Sequence, residues 1–98
     1  MFQKFKDMYK LQKQAKQIKS ELKNIHIEAE SSGVKVTMTA EQEIVSIEIS
    51  DEMMRIEKKS SLEKSLKEAL QKATKKAQEV AAEKMKGIMG EMGFPAAQ

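Results

Sequence analysis

The apolar residues of this chain change their spacing twice, and that change constrains the fold more than any other feature. Met8, Leu11, Ala15, Ile18, Leu22 and Ile25 fall three and four residues apart. Val34, Val36, Met38 and Ala40, then Val45, Ile47 and Ile49, alternate with polar residues. Leu62, Leu66, Leu70, Ala73, Ala77 and Val80 return to three and four. A helix brings i, i+3 and i+4 to one face, and a strand brings i and i+2 to one face. The spacing therefore predicts a helix over 4–24, strands in the middle, and a second helix from about 60 to 85.

The middle region is rich in β-branched residues, which suits a pleated surface. "HIEAES" (26–31) reads as a weaker strand leading into the "SSG" turn at 31–33. "VKVTMTA" and "EIVSIEIS" read as the next two strands, with a short antiparallel connection at 40–43. Short connections make a meander with one face to cover. Val45, Ile47 and Ile49 are expected to face inward on the third strand. "EMMRIEKK" reads as a loop or one helical turn. Ser60 and Glu63 have the spacing of a capping box at the start of the second helix. The expected fold is α+β, in the order α-β-β-β-α, with a three-stranded antiparallel meander and two long helices. Residues 1–86 are expected to form one domain. Residues 87–98, with Gly87, Gly90, Gly93 and Pro95, are expected to form a flexible tail.

At 98 residues the chain has room for one domain, and a monomer of that size is only marginally stable. A sheet of short strands cannot cover two long helices. The uncovered seam of the first helix, Met8, Leu11, Ala15, Ile18 and Leu22, is thus expected to pack against a second copy. Met85, Ile88, Met89 and Met92 continue a helical spacing and fit packing against the same partner.

Chemistry is sparse. There are no cysteines, and His26 is the sole histidine, at the start of a strand, where a structural role is the simpler reading. No set of residues has metal-ligand spacing, and no glycines form a phosphate loop. Glu28, Glu30, Glu41, Glu43 and Glu48 read as a solvated polar face. No enzyme activity, cofactor or small-molecule substrate is expected. The N-terminal residues show no apolar signal segment, and no run suits a membrane span, so a cytoplasmic location is expected.

Charge is where the chain departs from a generic small domain. The first 25 residues carry seven lysines against Asp7 and Glu21. Residues 26–57 carry Lys35 and Arg55 against eight acids. Residues 58–98 carry nine lysines against five acids. On a helical wheel, Lys6, Lys10, Lys13, Lys16, Lys19 and Lys23 sweep the side away from the apolar seam, with Tyr9 among them. A helix kept soluble by charge alone would interleave glutamates at i, i+4. A one-signed arc about 25 Å long instead suits a polyanion with closely spaced phosphates. On the second helix Lys72, Lys75 and Lys76 are secondary candidates among mixed charges. Arg55 is the single arginine, so base reading through arginine forks is not expected. Two other readings are compatible with these residues. One is a protein-interaction module that pairs the heptad seam with a foreign helix. The other is a basic amphipathic helix lying on an anionic membrane.

Three segments resemble the YbaB/EbfC family of small bacterial nucleoid-associated DNA-binding proteins: "MYKLQKQAKQIKSEL", "ESSGVKVTMTAEQEIVSIEIS" and "SLEKSLKEALQKATKKAQEVAAEKM". The resemblance covers residues 4–93. It implies a homodimer with helices projecting from a central sheet like the arms of tweezers, binding to double-stranded DNA, and association with the nucleoid. The chain differs from the family pattern in the connection "TAEQE", which lacks the usual glycine, in "ALQKAT", and in the N-terminal "FQKFKD".

Overall fold

A computed structural model describes residues 2–91, and the side chains of residues 8–87. The element order is α1 (Phe2–Lys23), β1 (His26–Ser31), β2 (Val34–Thr39), β3 (Ile44–Ile49), two 3-10 turns (Asp51–Met54 and Ile56–Lys58) and α2 (Lys59–Glu91). The strands form one antiparallel sheet in the order β1-β2-β3. The α-β-β-β-α meander expected from the spacing is therefore present.

The two hairpins turn by different means. Ser32 and Gly33 both have positive φ, 35° and 85°, the signature of the two-residue turn that matches strand twist. The β2–β3 connection has no glycine, and Gln42 takes the left-handed position with φ 69°. Thr39 organises this connection. Its Oγ1 accepts hydrogen bonds from the N–H groups of Glu41 and Glu43, both at 3.2 Å.

The inner face of the sheet is built as the alternation requires. Ile27, Ala29 and Ser31 of β1, and Val34, Val36 and Met38 of β2, are buried. α2 covers these two strands. It presents small residues to them: Ser65, Ala69, Ala73 and Ala77 are the buried positions on the helix among the described side chains, one every fourth residue. Such a stripe lets the helix backbone come close to the sheet. Leu62, Leu66, Leu70 and Val80 pack against the core from its margins and stay partly exposed. Close packing of this kind supplies both dispersion and removal of apolar surface from water.

β3 departs from expectation. Val45, Ile47 and Ile49 were expected to be buried, yet all six residues of the strand are exposed. Ile47 and Ile49 pair with Val36 and Val34 and so share the inner face, but β3 is an edge strand beyond the cover of α2. Val45 is the extra residue of a bulge, because Thr37 pairs with Ser46 while Met38 pairs with Ile44. Ile44 thereby takes the inward position expected of Val45.

The start of α2 also differs. The helix begins at Lys59, whose N–H bonds to Ile56 O, so Ser60 lies inside the first turn and the expected Ser60–Glu63 capping box does not form the helix start. At the other end α2 continues to Glu91, past the expected end near 85. Residues 92–98 of the expected tail, and the side chains of Ile88, Met89 and Met92, lie outside the described residues.

α1 is tied to the sheet at its C-terminal end. The Ala40 N–H lies 3.2 Å from Leu22 O and 3.0 Å from Ile25 O, fastening the helix end to the end of β2. From there α1 runs outward beside the C-terminal part of α2, and Glu21 pairs with Lys84 at 3.7 Å. The helices overhang the short strands, which gives the chain its elongated extents of 67 × 25 × 16 Å.

Candidate nucleic-acid interface

The candidate site is the outer face of α1. Lys10, Lys13, Lys16, Lys19 and Lys23 are all exposed, and so is Tyr9. The side chain of Lys6 lies outside the described residues. A helical rise of about 1.5 Å per residue spreads Lys10 to Lys23 along roughly 20 Å of one rod. Lys23 stands in the last turn, where a cation is also favoured by the helix dipole.

Among the described side chains of α1, the half-buried positions are Gln14, Ile18, Glu21 and Leu22. They show which way the helix is turned, because they mark the side towards α2. Glu21 is the one acid among the described side chains of α1, and it is directed at Lys84 of α2. The opposite face is left to the lysines, and among the described residues none of Lys10, Lys13, Lys16, Lys19 or Lys23 forms an ion pair. An exposed lysine with no carboxylate beside it can neutralise a phosphate and release the counterion condensed on the nucleic acid there.

The α2 candidates divide. Lys72 Nζ donates to Glu30 O at 3.3 Å, and Lys76 Nζ donates to Glu28 O at 3.2 Å. Glu68, one helical turn before Lys72, accepts from Ser31 Oγ at 2.7 Å. These three side chains stitch α2 along the open edge of β1. Sequence reasoning missed this use because the pairing joins residues more than 40 positions apart. Lys75 is exposed and takes no part in the stitching.

The expected α1 seam divides as well. Leu22 packs against the core of its own chain and Ile18 is half-buried, while Met8, Leu11 and Ala15 are exposed. Between α1 and α2 lies a cleft of about 450 Å³ lined by Gln14, Gln17, Glu21, Val80, Glu83, Lys84 and Gly87. Its lining is mostly polar, so the two helices meet there without an apolar zipper. On the outer face of the sheet Glu28 pairs with Lys35 at 3.5 Å, both partly exposed, as a solvated polar face would be. No helix of the described residues is long and apolar enough to cross a membrane.

The comparisons with known proteins agree with this architecture. The chain is 35% identical over 92 residues to nucleoid-associated protein BRADO0764 of Bradyrhizobium sp. (strain ORS 278), covering 92% of this chain and 87% of that protein. Its fold is similar to the crystal structure of the uncharacterized protein HP0035 from Helicobacter pylori, with a TM-score of 0.69 at 22% identity over 87% of each chain. A family model, that of the YbaB/EbfC DNA-binding family, matches residues 1–92. With helix, antiparallel meander and long second helix in the same order, the chain belongs to the YbaB/EbfC DNA-binding family.

Proposed function

We propose that the protein is a non-enzymatic, nucleoid-associated homodimer that binds double-stranded DNA through the lysine face of α1, mainly by contacts to the phosphate backbone. The observation that carries this reading is the orientation of α1. Its one described acid is turned to Lys84, and exposed Lys13, Lys16, Lys19 and Lys23 share the free side of the helix, with exposed Lys10 at its margin. The family membership and the nucleoid-associated relative support the same partner.

Phosphate contacts position a protein on a duplex without reading sequence. The lysine face carries no arginine, and Tyr9 is placed to hydrogen-bond a phosphate or to stack beside one. The binding is therefore weakly or broadly selective for sequence. Two copies double the basic surface, and Lys75 of α2 adds to it. Engagement of about six phosphates gives a fall of log K with log salt of slope near −5. Titrating a fluorescent duplex between about 50 and 200 mM salt, with several unrelated sequences of one length, tests this. The expected result is a steep slope shared by all sequences. A flat salt dependence refutes the phosphate reading. A large preference for one sequence refutes the broad-selectivity reading.

A further inference from the structure

We infer that the outer part of α1, residues 8–20, sits near its own helix–coil balance and is completed as a helix by phosphate, so that the protein orders this segment on the duplex it binds. This rests on the lysine-face reading above and adds what the same lysines do when no duplex is present.

Packing holds the outer part of α1 weakly. From Met8 to Gln17 every side chain is exposed except that of Gln14, which is half-buried. Met8 and Leu11 are 60% and 46% exposed. α2, by contrast, buries Ser65, Ala69, Ala73 and Ala77. Most helical stability in a protein comes from packing of an apolar face, and an uncovered helix shorter than about 12–15 residues is marginal in water. The half-buried contact of Gln14 adds little. Its Oε1 is shut off from solvent and has no hydrogen-bond partner among the described residues. A buried acceptor left unpaired opposes the state that buries it. The cleft beside it has a mostly polar lining, so no apolar contact makes up the difference.

Charge also works against the helix in the free protein. Lys10, Lys13, Lys16 and Lys19 stand three residues apart, and Lys23 four beyond Lys19. Residues three and four apart are neighbours on a helix, and like charges there destabilise it. Glu21 does not relieve them. Its neighbours at three and four residues are Gln17, Ile18, Asn24 and Ile25, and its carboxylate is directed at Lys84. The first turn of α1 carries no acid to complement the positive end of the helix dipole. Lysine and glutamine are good helix formers, which keeps the segment near balance instead of unfolding it.

Phosphate reverses the charge effect. Lys13, Lys16, Lys19 and Lys23 share one side of a rod only while α1 is helical. A duplex laid along that side puts anions among them, so the row that repels itself when free becomes a row of attractive contacts that only the helix can make. Ordering the segment offsets part of the contact free energy, as in other segments that fold on binding.

Hydrogen exchange read by mass spectrometry on the full-length protein, free and saturated with a duplex, tests this. In the free protein the amides of residues 8–20 are expected to exchange about tenfold or more faster than those of the packed part of α2. Saturation with duplex is expected to slow them about tenfold, and the helical circular dichroism, corrected for the duplex, is expected to rise. Lys13→Gln with Lys16→Gln removes three like-charge pairs and is expected to slow the same amides about threefold in the free protein. Added salt is expected to act in the same direction on the free parent, because it screens the repulsion. Three results would overturn the proposal: residues 8–20 as protected as α2 in the free protein, a complex with no gain in helical signal, or a double variant that exchanges as fast as the parent. Any of these with a steep salt slope for duplex binding leaves the lysine-face reading standing. A flat salt slope refutes the lysine-face reading itself, so the two failures are distinguished.

Discussion

Replacing Lys10, Lys13 and Lys16 together by glutamine separates a phosphate-binding face from a merely soluble one. The three side chains are exposed, none is ion-paired among the described residues, and none contributes to the core. Glutamine has nearly the helix propensity of lysine, so α1 should persist. Each lysine engaged with a phosphate contributes about 0.9 to the slope of log K against log salt. In the proposed dimer the triple variant removes six of the ten described α1 lysines, so a parent slope near −5 should fall by roughly three-fifths, to about −2. Over a fourfold rise in salt, the parent loses about a thousandfold in affinity and the variant about sixteenfold. Fluorescence anisotropy on one duplex at four or five salt concentrations resolves that difference, and a thermal melt verifies that folding is intact. A slope changed by less than about 0.5 refutes the reasoning, because exposed cations that release no counterions are not at the interface.

Three further outcomes follow from particular contacts. Lys72→Gln with Lys76→Gln should lower stability by about 1 kcal/mol through the lost bonds to Glu30 O and Glu28 O. The same variant should leave the salt slope within about 0.5 of the parent; a slope reduced by about 3.6, for four cations per dimer, with unchanged stability would mean that both lysines serve phosphate instead. Gly33→Ala should cost about 2–3 kcal/mol in a denaturant melt, because φ is +85° and the new Cβ would lie 2.7 Å from Ser50 Oγ and 2.8 Å from Met53 Cγ. Gln42→Gly should do the opposite and add roughly 0.5–1 kcal/mol, by relieving a left-handed residue at φ 69°; a destabilised protein would show that the side chain matters more than the backbone.

The amino-acid sequence by itself determined the elements and their order. Periods of 3.6 and 2 are local properties, and alternation sorted Val34, Val36 and Met38 from Lys35 and Thr37 before any tertiary contact was known. The lysine arc of α1 was legible for the same reason, since a helical wheel needs only residue spacing. Element ends were less legible. The start of α2 depended on a 3-10 turn at Ile56–Lys58 that competes with the Ser60–Glu63 motif. The tertiary structure decided which faces are covered and which edges are open. Ile47 and Ile49 follow the same alternation as Val34 and Val36, yet they are exposed because α2 lies over β1 and β2 and stops short of the third strand. Lys72 and Lys76 have the same chemistry as Lys13 and Lys16, but the fold carries them to the carbonyls of β1. Glu21 reads as a break in the basic face until the pairing with Lys84 shows that it points elsewhere. Burial, edges and ion pairs belong to residues that are distant in the chain, and local spacing has no information about which of them meet.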